Sequence, residues 1–142
     1  MTENEHILVA VDGSEASERA VKFAARMALD LGAELDLVAI VDLQQLKGHE
    51  GFTMSDEQVM DWQRAVKHRL LRRAAEAMGD APHTLRVLDG NAANVLHAEV
   101  CKRQPRMVVL GRTGKGSVEA WFMGSVSRYL SSRSPVPVCI VG

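Results

Sequence analysis

No apolar run in this chain approaches the roughly 20 residues that a helix needs to cross a bilayer. The opening residues, MTENEHILVAV, carry Glu3 and Glu5 where a secretory leader carries positive charge, and no small-residue cleavage signature comes after them. A cytoplasmic location is the expectation. Cysteine is scarce: Cys101 and Cys139 lie far apart and outside any CxxC pattern, which excludes a disulfide framework and reads as two half-buried, reduced thiols. An excess of one charge sign is missing too. A formal net charge of −1 gives nucleic acid or an anionic membrane nothing to be drawn to by bulk charge. Internal repeats, linkers and low-complexity segments are absent. The usual catalytic signatures are missing as well. His6, His49, His68, His83 and His97 form no HExxH or other metal-ligand spacing, and neither a GxSxG elbow nor an HxGH nucleotidyl-transfer motif occurs. What remains is an ordinary globular balance, 46% apolar and 25% charged over 142 residues, which predicts one domain, residues 1–142, around a single core.

Strand and helix signals alternate along that length. HILVAV (6–11) is a short apolar run ending at Asp12-Gly13, so it predicts a buried strand and a turn. Ser14 is placed to cap a helix over 15–31, with Glu15 and Glu18 in its first turn, an apolar stripe at Val21, Ala24, Ala25 and Ala28, and Gly32 as its stop. ELDLVAIVDL (34–43) is a second strand, and residues 44–54 read as a loop. Ser55-Asp56-Glu57-Gln58 fits a capping box that opens a helix to about Met78. That helix has Val59, Trp62, Val66, Leu70, Ala74 and Ala77 on one side and a solvated basic face of Arg64, Lys67, Arg69, Arg72 and Arg73 on the other. A strand over 83–90, a helix over 93–103, a strand over 106–111, a short helix over 125–133 and a closing strand in VPVCIVG complete the pattern.

Five strands separated by four helices imply a parallel sheet covered on both faces. Right-handed crossovers make it a doubly wound α/β sheet, expected in the order 3-2-1-4-5. In such a sheet ligands bind beyond the strand ends where the order reverses. The residues expected there are Asp12-Gly13 after the first strand and Gly111 onward after the fourth.

The stretch GRTGKGSVEAWFMGSVS (111–127) carries the chemistry. Its TGKGS is not a P-loop: Gly114-Lys115 is followed by Gly116 rather than Ser or Thr, and Val109 stands where the first glycine belongs. The glycine order is also wrong for a dinucleotide fingerprint. What is present is Gly111-x-x-Gly114, nine residues, then Gly124-Ser125. Gly111 permits a sharp turn and a close ligand approach, and Gly114 permits the loop to curl its N–H groups inward. Gly124-Ser125 offers a helix N-terminus, with the Ser125 and Ser127 hydroxyls as further donors. Trp121 and Phe122 anchor the bridge between the two glycine pairs. Glycines that end strands and serines that cap helices need no ligand, so the residues alone leave both readings open.

This spacing resembles the ATP-binding signature of the universal stress proteins. ILVAVDGSEASERAV (7–21), LVAIVD (37–42), VLDGNAANVLHAEV (87–100) and SPVPVCIVG resemble that family's other segments, in the same order and over nearly the whole chain. The resemblance implies a Rossmann-like sheet and a bound ATP with Mg²⁺ or Mn²⁺. The implied binding set is Ala10, Val11 and Asp12 at the end of the first strand, Ile40 and Val41 at the adenine, Leu110, Gly111, Arg112, Thr113, Gly114, Lys115 and Gly116 along the phosphates, and Gly124, Ser125, Val126 and Ser127 at the helix start. Asp12 stands near the ribose or the metal. The resemblance also implies a homodimer pairing terminal strands, here residues 136–141 between Val136 and Val141. Two departures are visible beside these: Ala39 where a histidine is common, and Arg106 where an aspartate is. The 44–54 loop aligns with nothing in the family.

No general base is aimed at a γ-phosphate, which favours a nucleotide-dependent regulatory dimer with a protein partner, and at most slow hydrolysis, over a fast ATPase. A nucleotide-free dimeric scaffold of the same fold is the alternative; the intact glycine set speaks against it. No nucleic-acid partner and no membrane span are expected.

Overall fold

The computed structural model describes residues 5–41, 54–113 and 124–142. Within them nine elements occur in order: β1 (His6–Ala10), α1 (Glu15–Leu31), β2 (Glu34–Val41), α2 (Asp56–Met78), β3 (His83–Asp89), α3 (Ala92–Arg103), β4 (Met107–Gly111), α4 (Ser125–Arg133) and β5 (Val138–Val141). The strands form one sheet in the order β3-β2-β1-β4-β5, and every neighbouring pair is parallel. The doubly wound topology expected from the alternation is the one found.

The helix ends obey their caps. Ser14 Oγ accepts the Ser17 N–H at 3.2 Å to open α1. At the other end Gly32 takes the left-handed conformation, φ 67°, and its N–H reaches the Ala28 carbonyl. Ser55 and Gln58 exchange both bonds of a capping box at the head of α2. Asn91 caps α3, which therefore starts at Ala92, one residue before the expected 93. Strand ends differ slightly from expectation. Val11 lies past β1, though its N–H still donates to the Val38 carbonyl at 2.9 Å. Gly90, φ 137°, ends β3 at Asp89. Arg106 precedes β4, though its N–H donates to the His6 carbonyl at 2.9 Å. β5 begins only at Val138 because Pro137 has no N–H for the ladder. Residues 42–53, most of the predicted loop, lie outside the described residues.

Side-chain alternation splits the core between the two faces of the sheet. Ile7, Val9, Leu35, Leu37 and Val109 pack under α1 and α2 with Val21, Ala24, Ala28, Val66, Leu70, Ala74 and Met78. Leu8, Val38, Val108 and Leu110 pack under α3 and α4 with Leu96, Val100 and Leu130. The basic face of α2 is exposed, as expected of a solvated face.

One charge is buried with the second set. Asp36, 2% exposed, stands in β2. Its carboxylate accepts Arg86 Nε at 3.2 Å, Arg86 Nη2 at 2.9 Å and Thr84 Oγ1 at 3.3 Å, and lies 3.3 Å from Arg103 Nε. Arg86 Nη1 continues to Glu99 at 2.9 Å. Burial works against the Arg86 charge, but its bonds and attractions to Asp36 and Glu99 outweigh that and raise its pKa above the ordinary guanidinium value. Both cysteines are free. Cys139 is half-buried, and burial pushes its thiol pKa up; Cys101 is exposed, not half-buried as expected. No described helix is long and apolar enough to cross a membrane.

Candidate functional site

β1 and β4 lie side by side, yet the helices that come after them leave on opposite faces: α1 packs with the first core set and α4 with the second. The chain therefore parts beyond these two strand ends, the place where a doubly wound sheet offers a crevice to a ligand.

On the β1 side, Ala10 is half-buried, Val11 buried and Asp12 exposed. Asp12 Oδ1 accepts the Ser14 N–H at 2.9 Å, and the Asp12 N–H is directed at Ser17 Oγ at 3.4 Å. This is an Asx turn leading into α1. Ser17, 4% exposed, also donates to the Ser14 carbonyl at 3.1 Å. Ser17 is not among the residues expected at the site, although a second serine three residues after a cap is a visible signal.

On the β4 side, Leu110 is buried and Gly111 half-buried. A Cβ at Gly111 would meet the backbone carbonyl carbon of Ala16 at 2.7 Å and Ala16 Cβ and O at 2.9 Å. The close approach expected at this glycine is thus made by the first turn of α1 itself.

Hydrogen bonds among the described residues tie the exit of β4 to its surroundings. The Arg112 N–H donates to the Val141 carbonyl at 2.8 Å, and the Gly124 N–H to the Arg112 carbonyl at 2.8 Å. Ser127 Oγ donates to the Gly111 carbonyl at 3.0 Å. The two glycine-bearing clusters, nine residues apart in their spacing motif, are fastened together: Gly111 and Arg112 on one side, Gly124 and Ser127 on the other. Arg112 is exposed and Thr113 half-buried beside them. Gly114, Lys115, Gly116, Trp121 and Phe122 lie outside the described residues.

Gly124 is the N-cap of α4 and supplies no side-chain cap bond. The first-turn N–H groups of Ser125, Val126 and Ser127 therefore have no intrahelical acceptor and, among the described residues, no side-chain cap, and the positive end of the helix dipole adds to them. That arrangement suits an anion. Ser125 is exposed at this end, whereas Ser127 is 3% exposed and its hydroxyl proton is engaged with Gly111. Ser127 thus braces α4 against β4, a duty beyond that of the ligand donor expected from its position.

Ile40 and Val41 end β2, half-buried, beside the crevice. The Val41 carbonyl accepts the Gly90 N–H at 2.9 Å and so points toward β3. By strand alternation the Ile40 peptide groups point the other way, toward β1, whose ladder stops at Ala10 opposite Val38. Asp12 supplies a carboxylate at the crevice; among the described residues no three His, Cys, Asp or Glu side chains gather as a metal-only site.

Comparison with known proteins agrees with this architecture. The model of the universal stress protein family matches residues 3–142. A universal stress protein of Methanocaldococcus jannaschii is 30% identical over 139 residues, covering 95% of this chain and 80% of that one. Mycobacterial relatives are longer, and the chain spans 47% of their length. Two solved structures share the fold. One, a universal stress protein in complex with cAMP, is 22% identical with a TM-score of 0.68, covering 99% of this chain and 98% of that one. The other, the universal stress protein from Archaeoglobus fulgidus in complex with dAMP, is 19% identical with a TM-score of 0.68, covering 99% and 100%.

Proposed function

The chain belongs to the universal stress protein family, and from that footing we propose that its β1–β4 crevice binds an adenine nucleotide, ATP with Mg²⁺ or Mn²⁺, in a regulatory rather than a metabolic role. The observation that carries this is the N-terminus of α4, without a side-chain cap among the described residues, held against the exit of β4 by the Gly124–Arg112 and Ser127–Gly111 bonds. Donors fixed in advance in this way bind a phosphate without a further ordering cost. Relatives of the same fold carry cAMP and dAMP, which supports an adenine nucleotide; the Gly111, Gly114, Gly124 spacing favours a polyphosphate among them.

The N–H groups of Ser125, Val126 and Ser127 would hold phosphate oxygens, with Arg112 and Lys115 adding positive charge. Asp12 would take the metal or the ribose, and the backbone at Ile40 and Val41 the adenine. A metal held by the Asp12 carboxylate would supply positive charge against that of the phosphates. β5 is an edge strand, and a second copy pairing along residues 136–141 would cover it, giving a homodimer. In this reading the cytoplasmic single-domain protein reports nucleotide occupancy to a partner protein.

The test is to denature the purified protein, identify any released nucleotide by chromatography, and titrate ATP, cAMP and dAMP with Mg²⁺ by calorimetry. Gly114→Ala and Gly124→Ala serve as site variants. Gly124, at φ −64° and ψ 160°, has backbone angles open to any residue, so its variant introduces no backbone strain. Wild-type protein that carries and binds no adenine nucleotide would sink the proposal in favour of a dimeric scaffold. Steady hydrolysis above about one turnover per minute would make it an enzyme instead.

A further inference from the structure

One residue of the α2 basic face is not merely solvated. Arg73 Nη1 donates to the Gly13 carbonyl at 2.9 Å, and its Nε lies 3.0 Å from Glu18 Oε1. The acceptors flank the N-cap of α1: Gly13 immediately precedes Ser14, and Glu18 sits in the first turn. Gly13 is buried and left-handed, φ 82°, a backbone that side chains other than Gly and Asn rarely adopt. It is covalently joined to Asp12. The turn bearing Asp12 is therefore held at two points, internally by Asp12 Oδ1 on the Ser14 N–H and externally by a guanidinium 60 residues away on its carbonyl. His68, Arg69, Arg72 and Glu76 line the same groove between α1 and α2, but among the described residues neither Arg69 nor Arg72 forms an ion pair. Of this basic face, Arg73 is the residue that reaches the turn.

We propose that Arg73 is a positioning residue for the nucleotide site: it fixes the Gly13 peptide so that the neighbouring Asp12 carboxylate faces the metal and ribose end of the crevice. This rests on the nucleotide reading above and adds to it a residue on the far side of α1. The planar fork matters. Two diverging N–H vectors serve a carbonyl and a carboxylate at once, and the single ammonium of lysine holds the pair less rigidly. A charge-assisted bond to a buried carbonyl is strong enough for its loss to be felt one residue away.

The experiment is a double-mutant cycle read by calorimetric Mg·ATP affinity, with urea unfolding measured in parallel. Arg73→Gln and Asp12→Asn should each weaken binding by about tenfold, and the double variant no more than Asp12→Asn alone, because both act through one carboxylate. Arg73→Lys should fall between wild type and Arg73→Gln. Glu18→Gln, which spares the Gly13 bond, should change affinity by less than about twofold. Penalties that multiply in the double variant, or wild-type affinity in Arg73→Gln, overturn the proposal while leaving nucleotide binding intact. Wild-type protein that binds no adenine nucleotide overturns both. If Arg73→Gln does not fold, the cycle is run with Arg73→Lys and read by the same rule.

Discussion

Replacing Gly111 by alanine separates two reasons for a glycine at the exit of β4. Gly111 is not among the glycines with positive φ, so its backbone accepts an L side chain, and any penalty is steric. The new Cβ would lie 2.7 Å from the Ala16 carbonyl carbon, roughly 0.8 Å short of ordinary carbon–carbon contact. The obstacle is helix backbone and has no rotamer to change. Relief requires α1 to withdraw from β4, loosening the packing of Ala16 and Ala20, 4% and 0% exposed, against the sheet. Overpacking of this kind costs about 1–3 kcal/mol. For a chain of this length that corresponds to a melting point lower by roughly 3–12 °C. The measurement is urea and thermal unfolding of nucleotide-free Gly111→Ala. Pairing it with Ala16→Gly should rescue only part of the loss, since that change removes the contact at Cβ and leaves those at the carbonyl carbon and oxygen. Unchanged stability together with lost nucleotide binding would refute the packing argument and return Gly111 to a purely ligand-facing role.

Two further outcomes are expected. Asp36→Ala should destabilise by about 3–5 kcal/mol in urea unfolding, because it leaves Arg86 half-buried beside Glu99 without its main acceptor; Arg103→Ala, whose side chain is 40% exposed, should cost far less. Cys101 should react with a thiol-specific reagent at pH 8 at least about tenfold faster than Cys139, since one is exposed and the other is half-buried with its thiol pKa raised; equal rates measured by mass spectrometry would contradict the burial seen at β5.

The parts of this molecule legible in its sequence are those set by neighbours in the chain. Ser14, Gly32, Ser55 and Gln58 announce their helix ends through bonds spanning a few residues, and the apolar runs 6–11 and 106–111 announce buried strands. Alternation of the elements then indicates a parallel, doubly wound sheet, which the order 3-2-1-4-5 fits. What could not be read is set by partners far apart. Asp36 looks like a polar interruption in an apolar strand until Arg86, 50 residues on, is placed beside it. Arg73 resembles its exposed neighbours until α2 is laid against the turn at Gly13. Glycine at 111 announces a missing side chain but not whether a ligand or a helix fills the space. At the site, spacing indicated which clusters belong together, and the bonds from Gly124 and Ser127 to Arg112 and Gly111 show how they are joined.

The strand order also has a consequence for the timing of assembly. β1, β2 and β3 occupy the first 89 residues, and their pairing needs nothing made later. The other edge of β1 must wait for its partner, since Ile7 pairs with Met107 across 100 residues. In a chain emerging from the ribosome N-terminus first, three of the five strands can pair while that edge stands open. The crevice lies on the seam between the early half and the late half. Under the proposed function, nucleotide binding would therefore wait until β4 and α4 have docked on the earlier strands.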